Sequence, residues 1–255
     1  MPDTRSAKER IRQRLISIDP ERVKSFTTRN PHLENIDTSL GAKEEDLQAE
    51  QIIKEGIATK EIIEACIALP KGNLGNAHSM FHALQECSRQ DRHFLILEDD
   101  VTVHPNIYSF IRDRWQEIKD ADFLALGANT DALICFEAVK GMRLGAVFFE
   151  KEDKHPSHSR INTILSSCNI KNTAIHKLHN MFGTCAFLVS PDGARKLTEQ
   201  AFPLDSRPVE IPLLPHLLLG VSFDRRINSV LKHIDARICI PFLAMTPNNA
   251  KSSRV

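Results

Sequence analysis

An excess of charge of either sign is the first thing this 255-residue chain lacks: lysine plus arginine and aspartate plus glutamate each number 33. Zero net charge argues against a surface-wide electrostatic footprint for nucleic acid and leaves only a local basic patch to consider. No apolar run reaches the roughly 18–20 residues of a membrane span. The longest candidate, residues 211–221, is interrupted by Pro212, Pro215 and His216. The basic N-terminal stretch (Arg5, Lys8, Arg10, Arg12, Arg14) contains no apolar core of the secretory kind. Cysteine is sparse, at 66, 87, 135, 168, 185 and 239, with no Cys-x-x-Cys pair. In a chain of this size that pattern reads as buried free thiols in a reducing compartment, hence a cytoplasmic enzyme. One Trp and one Tyr leave few amphipathic platforms for stacking on sugars or bases. The absence of Gly-x-Ser-x-Gly removes support for a serine hydrolase.

What is present is an alternation of strand-like and helix-like segments. Arg14–Asp19 reads as a first strand, followed by a loop at Pro20-Glu21-Arg22. Residues 44–69 read as one or two helices broken near Gly56, and the apolar spacing Ala77, Met80, Phe81, Leu84, Cys87 as a helix after Gly75. His93–Leu97 is a continuous apolar run of strand length, fit for burial on both faces. Ile107, Phe110, Ile111, Trp115 and Ile118 form a helical stripe, and Phe123–Leu126 is a further short strand. Leu133–Phe136 and Ala146–Phe149 are strand-like, Cys185–Val189 is an apolar strand, and Ser190-Pro191 is a helix start. Ala236–Ile240 closes the series. The alternation predicts an α/β fold with a mainly parallel, helix-flanked central sheet.

Glu98-Asp99-Asp100 is the sharpest chemical signal. Three carboxylates directly after a buried strand repel one another unless a cation or hydrogen-bond donors offset the charge. Ligands of open α/β sheets bind beyond the carboxyl ends of strands, and hard cations such as Mn²⁺ or Mg²⁺ prefer oxygen ligands. The plainer reading is an acidic loop capping the next helix. Gly72-Asn73-Leu74-Gly75, before a helix, offers backbone N–H groups to an anion but is no Walker loop. His155/His158 and His176/His179 match no standard zinc frame and read as solvated histidines. Cys185 lies in an apolar run and reads as core packing.

Taken in order, these pieces resemble glycosyltransferase family 25. The segments that carry the likeness are Leu15–Asp19 with Glu21-Arg22, Gly72–Ser79, Leu95–Val101, Asp122–Gly127, Gly183–Ala194 and Pro208-Val209-Glu210. They span roughly residues 14–250. Asn73, Asn76, Met80 and Glu210 stand where the family carries Glu, Cys, His and Asp.

The resemblance implies a GT-A-like single domain over residues 14–247, with a basic tail at 1–13 and a flexible one at 248–255. It implies transfer of a hexose, galactose from UDP-galactose, to a saccharide or glycolipid acceptor such as lipooligosaccharide. Ser17, Ile18, Asp19, Arg22, Gly75, Ser79, Glu98 and Asp99 would bind the nucleotide sugar, and Glu98 and Asp100 would hold Mn²⁺ or Mg²⁺. Glu210 is the candidate base, with Asp205 and Asp131 as competitors. No nucleic-acid partner is expected, and membrane contact would be at most peripheral, at the inner face. The departures keep a catalytically inactive nucleotide-sugar or glycan-binding relative as the alternative. A metal-dependent phosphohydrolase is disfavoured because no second metal-binding cluster accompanies the first.

Overall fold

The computed structural model describes residues 7–38, 40–66, 72–148, 155–211, 214 and 217–247. In chain order the strands are β1 (Ile11–Ile16), β2 (Ile36–Asp37), β3 (His93–Glu98), β4 (Thr102–Val103), β5 (Phe123–Ala125), β6 (Gly127–Asn129), β7 (Leu133–Val139), β8 (Met142–Val147), β9 (Ala174–Met181), β10 (Ala186–Val189), β11 (Pro208–Val209), β12 (Leu218–Leu219), β13 (Ala236–Ile240) and β14 (Ala244–Thr246). The main sheet runs β2-β1-β3-β10-β5-β13-β9-β7-β8. It is mixed. Only β1–β2, β1–β3 and β5–β13 pair in parallel, while the other five pairings are antiparallel. The expected mainly parallel sheet is therefore corrected. Antiparallel β10 wedges between β3 and β5, and the β7–β8 hairpin extends the sheet at its far edge, where no crossover helix is needed.

Strand β3 sits deep in this sheet. Phe94 and Ile96 join the core on one face, Leu95 and Leu97 the core on the other, and all four are fully buried. Each such side chain contributes about 1.5–3 kcal/mol on removal from water, which is why these four positions are all apolar. The Asn73–Ser88 and Pro191–Ala201 helices cover one face; Pro20–Arg29, Ile107–Asp113 and Trp115–Ile118 cover the other. Ser190 caps the Pro191–Ala201 helix by accepting from the Gly193 N–H at 3.1 Å, as its sequence signals. Two boundaries differ from expectation. The first strand begins at Ile11, so residues 11–13 belong to the sheet, and a short helix, Ala7–Arg10, precedes it. The helix expected after Gly75 begins at Asn73, with Gly72 at its N-cap in the left-handed region, φ +100°. Residues 248–255 lie outside the described residues.

Candidate functional site

The registers Ile16↔Glu98 and Leu97↔Ala186 bring the ends of β1 and β3 and the start of β10 to one edge of the sheet. The acidic triplet emerges there, at the carboxyl end of β3. Its three members have different surroundings. Asp99 is buried and spoken for: Ser17 Oγ donates to its Oδ2 at 2.6 Å, and the Arg22 guanidinium pairs with Oδ1. Arg29, two turns beyond Arg22 on the Pro20–Arg29 helix, donates to the Asp99 carbonyl at 2.6 Å and to the Val101 carbonyl at 3.1 Å. Asn30 clamps the same loop from both sides, donating to the Val101 carbonyl at 3.1 Å and accepting from the Val103 N–H at 2.8 Å.

Glu98 and Asp100 are the unsettled carboxylates. Among the described residues Glu98 receives only a long 3.4 Å bond from Thr184 Oγ1. Burial, reinforced by Asp100, Asp99 and Asp224, pushes its carboxyl up to about 8. Burial also raises Asp100, against a hydrogen bond from Thr246 and the charges of Arg22 and Arg29. Asp100 Oδ1 is buried and has no hydrogen-bond partner among the described residues. A buried carboxylate oxygen without a donor beside a second raised carboxylate is an all-oxygen set that a hard divalent cation satisfies. The residues therefore fit the metal that the sequence implies, with Glu98 and Asp100 as its holders and Asp99 turned toward Ser17 and Arg22.

Ser17 links the triplet to the next element. Its carbonyl accepts from the Gly41 N–H at 2.7 Å, and a Cβ at Gly41 would overlap Ser79 Oγ. Ser79 in turn donates to the Gly75 carbonyl at 2.9 Å. Ser17, Gly75, Ser79 and Asp99 thus form one connected wall. Beside it lies a cavity of about 380 Å³ whose lining includes Ile16, Leu40, Gly41 and Ser79. Ile18 follows directly. Asp19 has a structural task, accepting from the Glu21 N–H at 2.9 Å as N-cap of the Pro20–Arg29 helix.

Glu210 is exposed, immediately after β11, and no described interaction ties it to the triplet. Asp205 is paired with Arg207 and Arg226, and Asp131 sits in a left-handed turn, φ +63°. Sequence reasoning missed Asp224, the acidic residue whose charge reaches Glu98. Its only local signal is an acid in the first turn of a short helix, Phe223–Arg226, which many helices carry. Arg29 and Gly41 were missed as well; the seven-residue spacing from Arg22 was a usable sign for the former. The expectation of solvated rings is corrected at His179, while His155, His158 and His176 are half-buried. His179 is buried, His158 sits 3.2 Å from Thr102 Oγ1, and His155 lies 3.0 Å from the Pro247 carbonyl. Cys185 is fully buried with its thiol pushed up by that burial, which fits packing. Among the described residues no helix is long and apolar enough to cross a membrane.

Comparison with known proteins adds one match. The profile of a family described as Glycosyltransferase family 25 (LPS biosynthesis protein) covers residues 16–211. No curated protein matches the chain.

Proposed function

The chain belongs to glycosyltransferase family 25, and from that premise we propose that it transfers galactose from UDP-galactose to a saccharide or glycolipid hydroxyl of the lipooligosaccharide kind. The observation that carries this reading is the pair of half-buried, raised carboxylates, Glu98 and Asp100, at the carboxyl end of β3, where Asp100 Oδ1 is buried without a hydrogen bond among the described residues. Glu98 and Asp100 would hold Mn²⁺ or Mg²⁺, which when bound offsets the charge that grows on a departing diphosphate. Asp99, locked by Ser17 and Arg22, keeps the loop in register. Ser17, Gly41 and Ser79 form the wall along which the nucleoside lies. The acceptor oxygen forms its bond to the anomeric carbon as the bond to the diphosphate breaks, the electron pair leaving with the phosphate. The hydroxyl proton passes to a carboxylate, for which the exposed Glu210 is the first candidate and Asp224 the second. The enzyme acts in the cytoplasm, with at most peripheral contact with a membrane that bears its acceptor.

A second reading is favoured by Met80, which occupies the family's histidine position and is fully buried, so it reaches no substrate. On that reading the chain binds a nucleotide sugar without turning it over. One experiment separates the two: incubation with UDP-, GDP- and CMP-sugars plus Mn²⁺, measuring nucleotide release. Release from a UDP-hexose, galactose fastest, that disappears in a folded Asp100→Ala variant is the expected result. Calorimetric binding of UDP with Mn²⁺ but no release would favour the binding relative. Release confined to GDP- or CMP-sugars would overturn the donor, and unchanged UDP affinity in Asp100→Ala would overturn the metal assignment.

A further inference from the structure

On the Asn73–Ser88 helix, His78 and His82 stand one turn apart. Their ring centroids are 4.4 Å apart and their Nε2 atoms 3.2 Å apart. Glu55, just past the end of the Ala49–Lys54 helix, brings Oε2 to 3.2 Å from His82 Nε2. The ligating atoms of all three residues lie within 4.8 Å of one another. Glu55 is not there by chance of a long side chain. Gln51 donates to its Oε1 at 2.8 Å, leaving the buried Oε2 turned to His82. Its backbone is fixed by fully buried Ile52 and Ile57 on either side and by the left-handed turn at Gly56, φ +75°.

Two imidazole nitrogens and a carboxylate oxygen converging on one point are poorly served by protons alone. His82 Nε2 lies 3.2 Å from both His78 Nε2 and Glu55 Oε2, and a single N–H there cannot satisfy both neighbours. We propose that Glu55, His78 and His82 form a binding site for a divalent transition metal, Zn²⁺ first, separate from the hard-cation site of the acidic triplet. The spacing suits it. Tetrahedral zinc holds nitrogen at about 2.0–2.1 Å, which sets neighbouring ligand atoms roughly 3.3 Å apart. Two imidazoles and one carboxylate select zinc-like ions over Mg²⁺, which demands oxygen ligands. His82 is half-exposed, so the fourth position opens to water. The bound ion would tie the Ala49–Lys54 helix to the helix carrying Gly75 and Ser79, stiffening the cavity wall that His78 and His82 share with Gly41.

The test uses the full chain with Co²⁺ as spectroscopic probe and Zn²⁺ as competitor. Wild type should take up one equivalent of Co²⁺ with the intense visible bands of a tetrahedral or five-coordinate centre, bleached by Zn²⁺. Asp100→Ala should keep those bands, whereas His82→Ala should weaken affinity at least 10-fold, as should Glu55→Gln. Because His82 is at the surface, its removal leaves the core untouched, and circular dichroism checks this. Only the pale spectrum of octahedral, oxygen-bound cobalt, or equal affinity in wild type and His82→Ala, overturns the proposal. Loss of the bands in Asp100→Ala alone does so too. None of these readouts depends on glycosyl transfer.

Discussion

Replacing Glu98 by Gln should stabilise the metal-free protein while removing a metal holder. Burial and three neighbouring carboxylates raise the Glu98 carboxyl from 4.5 to about 8. An acid whose folded pKa is raised contributes stability that is fully present below the unfolded value, near 4.5, and is lost as pH climbs toward 8. Across that window each pH unit costs about 1.4 kcal/mol, because the unfolded chain releases a proton that the folded chain retains. Near pH 7 the sum is about 3 kcal/mol, an upper figure because the neighbouring carboxylates share the proton. Gln keeps the shape and the contact with Thr184, carries no charge, and escapes the cost. Urea unfolding in the presence of a chelator, near pH 5 and near pH 7, measures the difference. The variant should exceed wild type by up to about 3 kcal/mol at the higher pH, roughly 6–12 °C in Tm for a chain of this size. Near pH 5 the gap should shrink below about 1 kcal/mol. A gap of the same size at both pH values, or a variant less stable than wild type near pH 7, would refute the reasoning. Saturating Mn²⁺ should reverse the order, since only wild type gains ligand-linked stability.

Glu210→Gln should lower turnover by about 10²–10⁴-fold with nucleotide affinity intact if it is the base; if Asp224→Asn shows that loss instead, the role belongs to Asp224. Gly41→Ala should force Ser79 out of its bond to the Gly75 carbonyl, costing about 1 kcal/mol in chemical denaturation and weakening UDP binding. Ser79→Ala in the same chain should recover most of the stability. His158 is lowered by burial, then by Arg29, to about 4. The unfolded chain therefore takes its proton first as pH falls below about 6.5, and stability drops until about pH 4. His158→Asn should flatten that slope in urea titrations; an unchanged slope would remove His158 as its source.

The acidic triplet and its strand were legible because both signals are local. Phe94–Leu97 has no polar residue to place in water, so burial on both faces follows, and three adjacent carboxylates after such a run mark charge that a cation or hydrogen-bond donors must offset. The Ser190-Pro191 start was legible for the same reason: a cap is made within one helical turn. Strand direction was not legible. An alternation of strand and helix permits parallel pairing, yet β10 reaches its place between β3 and β5 across nearly ninety residues of chain, and only the packed sheet decides which way it runs. The division of labour within the triplet was hidden likewise. Asp99 is the doubly held carboxylate because Ser17 and Arg22 arrive from elements far away in sequence, whereas Glu98 and Asp100 meet only Thr184 and Thr246 among the described hydrogen bonds. Asp224 and the Glu55–His78–His82 group belong to that same class. Residue type fixes what a side chain can bind, but convergence of distant atoms within about 3 Å is set by tertiary packing, to which no window of neighbouring residues is sensitive.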